Sequence, residues 1–335
     1  MLGITQATPG GAETLRWGEV ERPQPSEGEV LIRVHASAFN PADVGMRNGN
    51  YLEPEQKPII LGLECAGVIE EVGPGVTRWR VGDRVMALLN SGGYAEYATV
   101  PDGMVMSLPS HLTFAQGAAL PEALCTVWSN RLLSKQPRAS LQTLIHGGAG
   151  GVGGIAIQVA KFLGDTVFTT AGSPENLELT RSFGADVPIS YVDQDFLAEV
   201  LQHTHGAGVD LILDTQGASY FDRNVAALKP DGHLALIGVQ GGAEVSVNLL
   251  QLMRKRLTLS ATMLKNRPNF GQNSKSEIVR LVREDLWPGI VSGEILPHLG
   301  AIRPLSEAAA VHVEFAAGLL PAGKTVFSVL PENSR

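Results

Sequence analysis

The sequence predicts an α/β protein in two parts, a small β-barrel and a doubly wound parallel sheet. Three observations carry that prediction. Up to about residue 120 the chain runs in short β-rich segments punctuated by glycine and proline. From Leu141 strand-like and helix-like segments alternate, and a glycine-rich run, HGGAGGVGG, sits at the first strand-to-helix junction. At 335 residues the chain exceeds the usual size of a single core, so two domains are expected.

In chain order, EVLIRVHASAF, AGVIEEVG, VGDRVMALL and YAEYATV are β-rich runs between turn signals, as barrel strands require. TLIH then reads as a strand. After it Val152, Ile155, Ala156, Val159, Ala160 and Leu163 fall on one helical face, and Gly164 stands where a helix C-terminus favours glycine. Strand TVFTT, helix ENLELTRSF closed by Gly184, strand VPIS, helix DFLAEVLQH and strands VDLILD and HLALIG continue the alternation, which implies parallel pairing. Past about Leu264 come a helix in SEIVRLVRED, another near EAAAVHVEFAAG and a closing strand TVFSVL. The plan is a βα domain inserted between an N-terminal barrel and a C-terminal part that returns to it.

Composition narrows the function. Hydrophobic residues at 44% and charged residues at 18% are a normal globular balance. The formal net charge of -8 disfavours a general nucleic-acid binder, which needs a basic face. Two cysteines cannot form a disulfide framework or a four-thiolate zinc site, and they fit a reducing compartment. MLGITQATPGGAETLRW lacks the basic start and apolar stretch of a signal peptide, and no run approaches a membrane span. A soluble, cytoplasmic protein is expected.

Gly148, Gly150 and Gly153 fit G-x-G-x-x-G in the strand-to-helix setting that a dinucleotide site needs. Absent side chains let backbone N–H groups approach a pyrophosphate, and the helix N-terminus stabilises its charge. Glycines that merely permit helix–strand packing are the plainer explanation, and the βαβ setting weighs against it. An NAD site usually has an acid about 20 residues on. Ala171 stands there, in TTAGSPEN, and the nearest acid is Glu175. Ser173 is available to a 2′-phosphate, so NADPH is favoured over NADH, although no lysine or arginine stands nearby.

Other matches are decoys. Gly318 to Thr325 satisfies the P-loop pattern G-x-x-x-x-G-K-T, but a helix precedes it and a strand follows, the reverse of what that loop requires. His203 and His205 sit at a helix end as solvated histidines, and neither H-E-x-x-H nor C-x-x-C occurs. In the barrel half, Asn40, Asp43, Arg47 and Tyr51 lie close together after a β run. Taken one at a time, Asn40, Asp43 and Tyr51 are explained by turn chemistry. Their grouping, in a chain with a separate cofactor domain, makes them candidates for an active site.

NPAD at Asn40 to Asp43, GLECAGVIEEVGPGV, VGDRVMALL, GGYAEYATVP, ALPEALCTVW, LIHGGAGGVGGIAIQVAK, FGAD, GVDLILDTQG and GKTVF span essentially the whole chain. Together they resemble the medium-chain dehydrogenase/reductase superfamily, and within it the zinc-free quinone oxidoreductases. MALLNSGGYAEY, TAGS, Tyr191 and TMLKNR look most like the p53-inducible quinone oxidoreductase type. The resemblance implies a GroES-like barrel as catalytic domain over residues 1–120 and 266–335, and a Rossmann NADPH-binding domain over 121–265. It implies cofactor contacts from Asn40 and Thr126 near the nicotinamide half, and from Gly150, Gly151 and Val152 at the pyrophosphate. Gly172, Ser173 and Tyr191 would surround the 2′-phosphate, with Asn176 in a slot where relatives usually carry lysine. Gly238, Val239, Gln240 and Met263 would flank the nicotinamide.

Zinc members have a cysteine ligand at the slot of Asn40 and a histidine at the slot of Leu63, and they carry a four-cysteine lobe that this sequence lacks. The resemblance therefore implies no metal. Glu64 persists without its ligand set, and Cys65 reads as a packed side chain. Hydrogen-bond donors must replace the lost Lewis acid, and Tyr51, with Asn40 beside it, is the expected catalytic pair. The implied activity is zinc-independent, NADPH-dependent reduction of quinones. The alternatives are reduction of α,β-unsaturated carbonyls and a noncatalytic nucleotide- or RNA-binding role. The implied partners are a small quinone or enone and a second copy of the chain, paired through HLALIG and LTLSATM.

Overall fold

The structure is a computed structural model and describes residues 1–50 and 59–330. The chain forms two compact units. One contains Met1–Cys125, Leu264–Trp287 and the chain from Pro297 onward; the other contains Thr126–Met263 and Pro288–Leu296.

The first unit is built on the strand Glu29–Ala38, a ten-residue run without glycine or proline in which β-branched Val30, Ile32 and Val34 recur at every second position. It pairs antiparallel with Lys324–Ser328, with Glu64–Val72 and with Tyr97–Pro101. The sheet continues through Arg84–Leu88 to Val105–Ser107 on one side and to Leu299–Pro304 on the other. A second, three-stranded sheet holds Leu15–Glu19, Leu2–Gln6 and Ile59–Ile60. Ile4, Phe39, Leu61, Leu63, Tyr94 and Phe327 form part of the core beneath. The C-terminal strand thus returns to the N-terminal barrel, as the sequence pattern implies.

The second unit is a six-stranded sheet in the order Val187–Ser190, Thr166–Ala171, Gln142–Ile145, Val209–Asp214, Leu228–Leu236, Thr258–Ala261. Every pair is parallel. All strand C-termini therefore share one edge, and the chain order reverses at Gln142–Ile145, where such sheets bind ligands. The helix Gly151–Phe162 buries Ile155, Ala156, Val159 and Ala160, the face read from the sequence. Leu163 is its C-cap, and Gly164 follows at φ +83°. Of the two strands expected at the end of the sheet, only Thr258–Ala261 is an edge; HLALIG lies between two neighbours.

Among the described residues six α-helices escaped the sequence reading, Phe114–Ala118, Leu249–Lys255 and Trp287–Ser292 and three that bear on the sites. Asn40–Arg47 is not a simple turn, because Asn40 is the N-cap of a helix over Pro41–Arg47. Pro121–Arg131 is buried on nearly every side, Thr126 excepted, so it has no polar face to mark its period. Phe221–Ala227 is seven residues long, too short for a periodic signal. Its C-terminal end is satisfied by Lys255, whose Nζ donates to the carbonyls of Val225, Ala226 and Leu228 at 3.1, 2.7 and 2.6 Å. No helix among the described residues is long and apolar enough to cross a membrane.

Pro121–Arg131 is tied to the sheet by a buried ion pair. Arg131 donates to both carboxylate oxygens of Asp165, at 2.6 and 3.0 Å, while Thr143 Oγ1 and the Leu141 amide donate to the same carboxylate. Removing the cation leaves a buried carboxylate without its charge partner. Arg131→Met is expected to cost about 3–5 kcal/mol in urea unfolding. A loss below about 1 kcal/mol would show that this pair is not desolvated.

Candidate active site

The turn after Gln142–Ile145 is shaped by contacts that only glycine allows. A Cβ on Gly148 would lie 2.0 Å from Thr169 Oγ1, and one on Gly153 would lie 2.2 Å from the Gly147 carbonyl. Gly150, the N-cap, is different: its nearest neighbour to a Cβ would be 3.3 Å away, and the residue is exposed. Internal packing accounts for Gly148 and Gly153, and Gly150 leaves open space at the mouth of a twelve-residue helix. The first-turn N–H groups of Gly151, Val152 and Gly153 have no intrahelical acceptor by position, so this end could hold a pyrophosphate.

Beneath the turn runs a buried polar chain. His146 Nε2 meets Asn224 Oδ1 at 2.8 Å, and Asn224 Nδ2 donates to Asp214 Oδ2 at 3.0 Å. Asp214 in turn accepts from the amides of Gln216 and Gly217. On the other side His146 Nδ1 lies 3.2 Å from Thr170 Oγ1, which also accepts from the Gly147 amide. Burial pushes His146 down to about 4 and Asp214 up to about 6, so the imidazole is neutral and acts as a strut between three strand ends. The sequence reading missed His146, Asn224 and Asp214, because 78 residues separate the first two.

One strand over, Ala171 leads into Gly172 and Ser173. Ser173 caps the helix Pro174–Ser182, its Oγ accepting from the Asn176 amide at 3.2 Å. A Cβ on Gly172 would lie 2.1 Å from the Tyr191 hydroxyl, so that phenol lies against the glycine backbone while the residue stays 52% exposed. Two hydroxyls and a helix N-terminus converge there, a donor set that suits a phosphate. Glu175 opposes it. Its own backbone N–H and Ser173 hold its carboxyl below the usual range, so an anion remains in the first turn.

Gly238, Val239 and Gln240 follow Leu228–Leu236 and fold over the Asp214–Gly217 turn: Gln240 N donates to the Thr215 carbonyl, and Gly241 N to that of Gln216. Val239 and Met263 are exposed, at 56% and 55%. Thr126 is joined to the end of the last strand through Asn130, which donates to the Thr126 carbonyl and accepts from Thr262 Oγ1. The parallel sheet thus sets Gly150 to Val152, Gly172, Ser173, Tyr191, Gly238 to Gln240 and Met263 at strand C-termini along one edge.

Asn40 belongs to the barrel unit and to a different cluster. Its Nδ2 donates to Glu64 Oε1 at 2.8 Å, and more weakly to the Ala38 carbonyl at 3.4 Å. Its Oδ1 accepts from Lys324 Nζ at 2.5 Å, and the same ammonium lies 2.5 Å from Glu64 Oε1. The Glu122 amide donates to Glu64 Oε2. Asp43 accepts from the amides of Asn40 and Gly62 and from the Tyr94 hydroxyl. Tyr51 lies outside the described residues. Lys324 and Glu122 were missed as site residues, although GKTVF and ALPEALCTVW contain them. Cys65 is buried, and burial pushes its thiol up, so it is a packed side chain and not a nucleophile.

The model of the alcohol dehydrogenase GroES-like domain matches residues 26–110, and that of the zinc-binding dehydrogenase matches 151–282. The quinone oxidoreductase of Rattus norvegicus is 32% identical over 305 residues, 90% of either chain. The chain belongs to the quinone oxidoreductase family of medium-chain dehydrogenases/reductases. It is an oxidoreductase with the GroES-like and Rossmann-type architecture of that family. Mycobacterial Rv1454c complexed with NADPH superposes with a TM-score of 0.86 at 32% identity, covering 99% of this chain and 100% of the other. An NAD-dependent alcohol dehydrogenase also reaches 0.86, at 28% identity, covering 98% and 100%.

The zinc in one matched family description does not suit these residues. At Glu64 the neighbours are a carboxamide and an ammonium, and Leu63 is core. Among the described residues no group of three or more His, Cys, Asp or Glu could hold a metal ion.

Burial, reinforced by the Glu64 charge, pushes Glu122 up to about 8, and burial raises Asp43 to about 7 against the pull of its donors. Each acid holds its proton more tightly folded than unfolded. The resulting stabilisation is full below the ordinary carboxyl values near 4 and is lost progressively as pH rises from there to the raised values of about 7 and 8. The unfolding free energy from urea titration should fall between about pH 4.5 and pH 8, by at most about 1.4 kcal/mol per pH unit for each group, and level off above. Glu122→Gln should flatten the slope, and an unchanged slope would exclude Glu122 as its source.

Proposed function

We propose that this oxidoreductase is a zinc-independent, NADPH-dependent quinone reductase. The observation that supports it most is the cradle along one edge of the parallel sheet: an exposed Gly150 opening a helix, beside the hydroxyl-lined corner at Gly172 and Ser173. Bound NADPH supplies a hydride from its nicotinamide. Gly150, Gly151 and Val152 hold the pyrophosphate through their backbone, and Ser173 and Tyr191 hold the 2′-phosphate with Asn176 at its side. Thr126, Gly238, Val239, Gln240 and Met263 flank the nicotinamide ring.

A quinone that accepts a hydride gains two electrons and one hydrogen, leaves an oxyanion, and needs one proton to become the hydroquinone. With no Lewis acid, fixed donors must meet that oxyanion. Asn40 has its amide hydrogens on Glu64 and Ala38 and its oxygen on Lys324, so it is not the donor to that oxyanion, and the part proposed for it is to orient nicotinamide and acceptor by contact. The donor is Tyr51, whose hydroxyl, with an ordinary pKa of about 10, is protonated at neutral pH. The edge Thr258–Ala261 suits pairing with a second copy.

NADPH absorbance followed with 1,2-naphthoquinone and with an enone, after dialysis against a chelator, tests the reading. Oxidation with the quinone at an undiminished rate is expected; no oxidation with either acceptor would overturn it. Asn176→Lys should lower the KM for NADPH roughly fivefold, about 1 kcal/mol of added charge pairing, and leave that for NADH unchanged. An unaltered KM for NADPH would remove the Ser173 corner from the cofactor site.

A further inference from the structure

The lysine of the P-loop look-alike at Gly318 to Thr325 is turned into the protein. Its side chain is 4% exposed and its ammonium sits between a fully buried carboxylate and a carboxamide. Strand register puts it there. Lys324–Ser328 and Glu64–Val72 flank Glu29–Ala38, with Val326 opposite Ala38 and Cys65 opposite Ser37. Two residues beyond Ala38, Asn40 comes alongside Lys324, and one before Cys65, Glu64 comes beside both. Phe39 N donating to the Thr325 carbonyl extends the pairing to this point.

An ammonium can only donate, so the Asn40 atom facing Lys324 is Oδ1, and Nδ2 must face Glu64. The carboxamide is thereby held at both ends and cannot flip. Glu64 Oε1 and Asn40 Oδ1 are two oxygens converging on one cation, as they would on a bound metal ion, but the cation is covalently part of the chain.

We infer that Lys324 is a built-in cation that takes the position a divalent metal would hold against Glu64, and that it is the positioning residue fixing the Asn40 carboxamide for the reaction. The part concerning the reaction rests on the role proposed above for Asn40; the fixing of the carboxamide does not. The ammonium neutralises Glu64 as a metal would, yet presents no open coordination site, so it orients a neighbour instead of polarising a substrate.

Lys324→Met alone strands the Glu64 carboxylate and is expected to unfold readily. The informative variant is Lys324→Met/Glu64→Gln, in which no buried charge is left alone, compared with Glu64→Gln. With asparagine labelled in nitrogen, the Asn40 side-chain amide protons should exchange at least tenfold faster in the double variant than in Glu64→Gln. Its kcat for NADPH-dependent quinone reduction should be at least tenfold lower, with the Kd for NADPH within twofold. Equal amide protection in the two variants would overturn the inference, and faster exchange with equal kcat would overturn the positioning role. If the wild type reduces no acceptor, the proposed activity fails, and the amide exchange still decides whether Lys324 fixes Asn40.

Discussion

A fully buried carboxylate, that of Glu64, has to be neutralised inside the barrel, and much of the unit's architecture follows from that need. An uncompensated ion there costs several kcal/mol. Lys324 supplies the charge, and the Asn40 carboxamide and the Glu122 amide supply the remaining hydrogen bonds. The segments that carry Glu64, Lys324 and Asn40 arrive through one antiparallel sheet, and Glu122 comes from the helix Pro121–Arg131, so register and chemistry are coupled for the first three. A slip of one residue in Lys324–Ser328 would turn Lys324 to the opposite face and leave Glu64 alone. The C-terminal strand, which pairs with Glu29–Ala38, is therefore also what makes the interior of this unit electrostatically tolerable.

The second unit meets a different constraint. Its strands are all parallel, so every connection that could touch a ligand leaves from the same edge. Turns at such an edge have few backbone partners of their own. Here the chain from Thr170 through His146 and Asn224 to Asp214 joins three adjacent strand ends and sets the glycine turn between them. Thr170, His146 and Asn224 do that work as neutral groups, and the Asp214 carboxylate at the end of the chain is met by the amides of Gln216 and Gly217 and by Asn224.

The fold was largely legible in the sequence because its evidence is local. Glycine at strand and helix ends, period-3.6 burial in Gly151–Phe162 and the alternation of elements are all read within a dozen residues. Elements with little local contrast were lost: Pro121–Arg131, which has no polar side, and Phe221–Ala227, which is two turns long. Cys65 was read as a packed side chain, and it is buried. The site was only half legible, for the reason that its pairing is remote. Asn40 and Lys324 are 284 residues apart, and neither local periodicity nor motif spacing connects them. Lys324 was visible, but in a pattern that pointed to nucleotides, and only sheet register reveals its partner. Asn40 looked like a free donor because a sequence does not show that its hydrogens are already engaged.

The central claim is that a metal-free barrel site, with its cation built into the chain, accompanies a dinucleotide cradle on the parallel sheet. A crystal structure of the NADPH complex, with diffraction recorded on both sides of the zinc absorption edge, tests it most directly. The account predicts the pyrophosphate at Gly150 to Val152, the 2′-phosphate against Ser173 and Tyr191, and the Lys324 ammonium between Glu64 and Asn40 with no anomalous peak beside it. An anomalous peak at Glu64 with Lys324 displaced, or a cofactor bound away from the Gly150 turn, would contradict it.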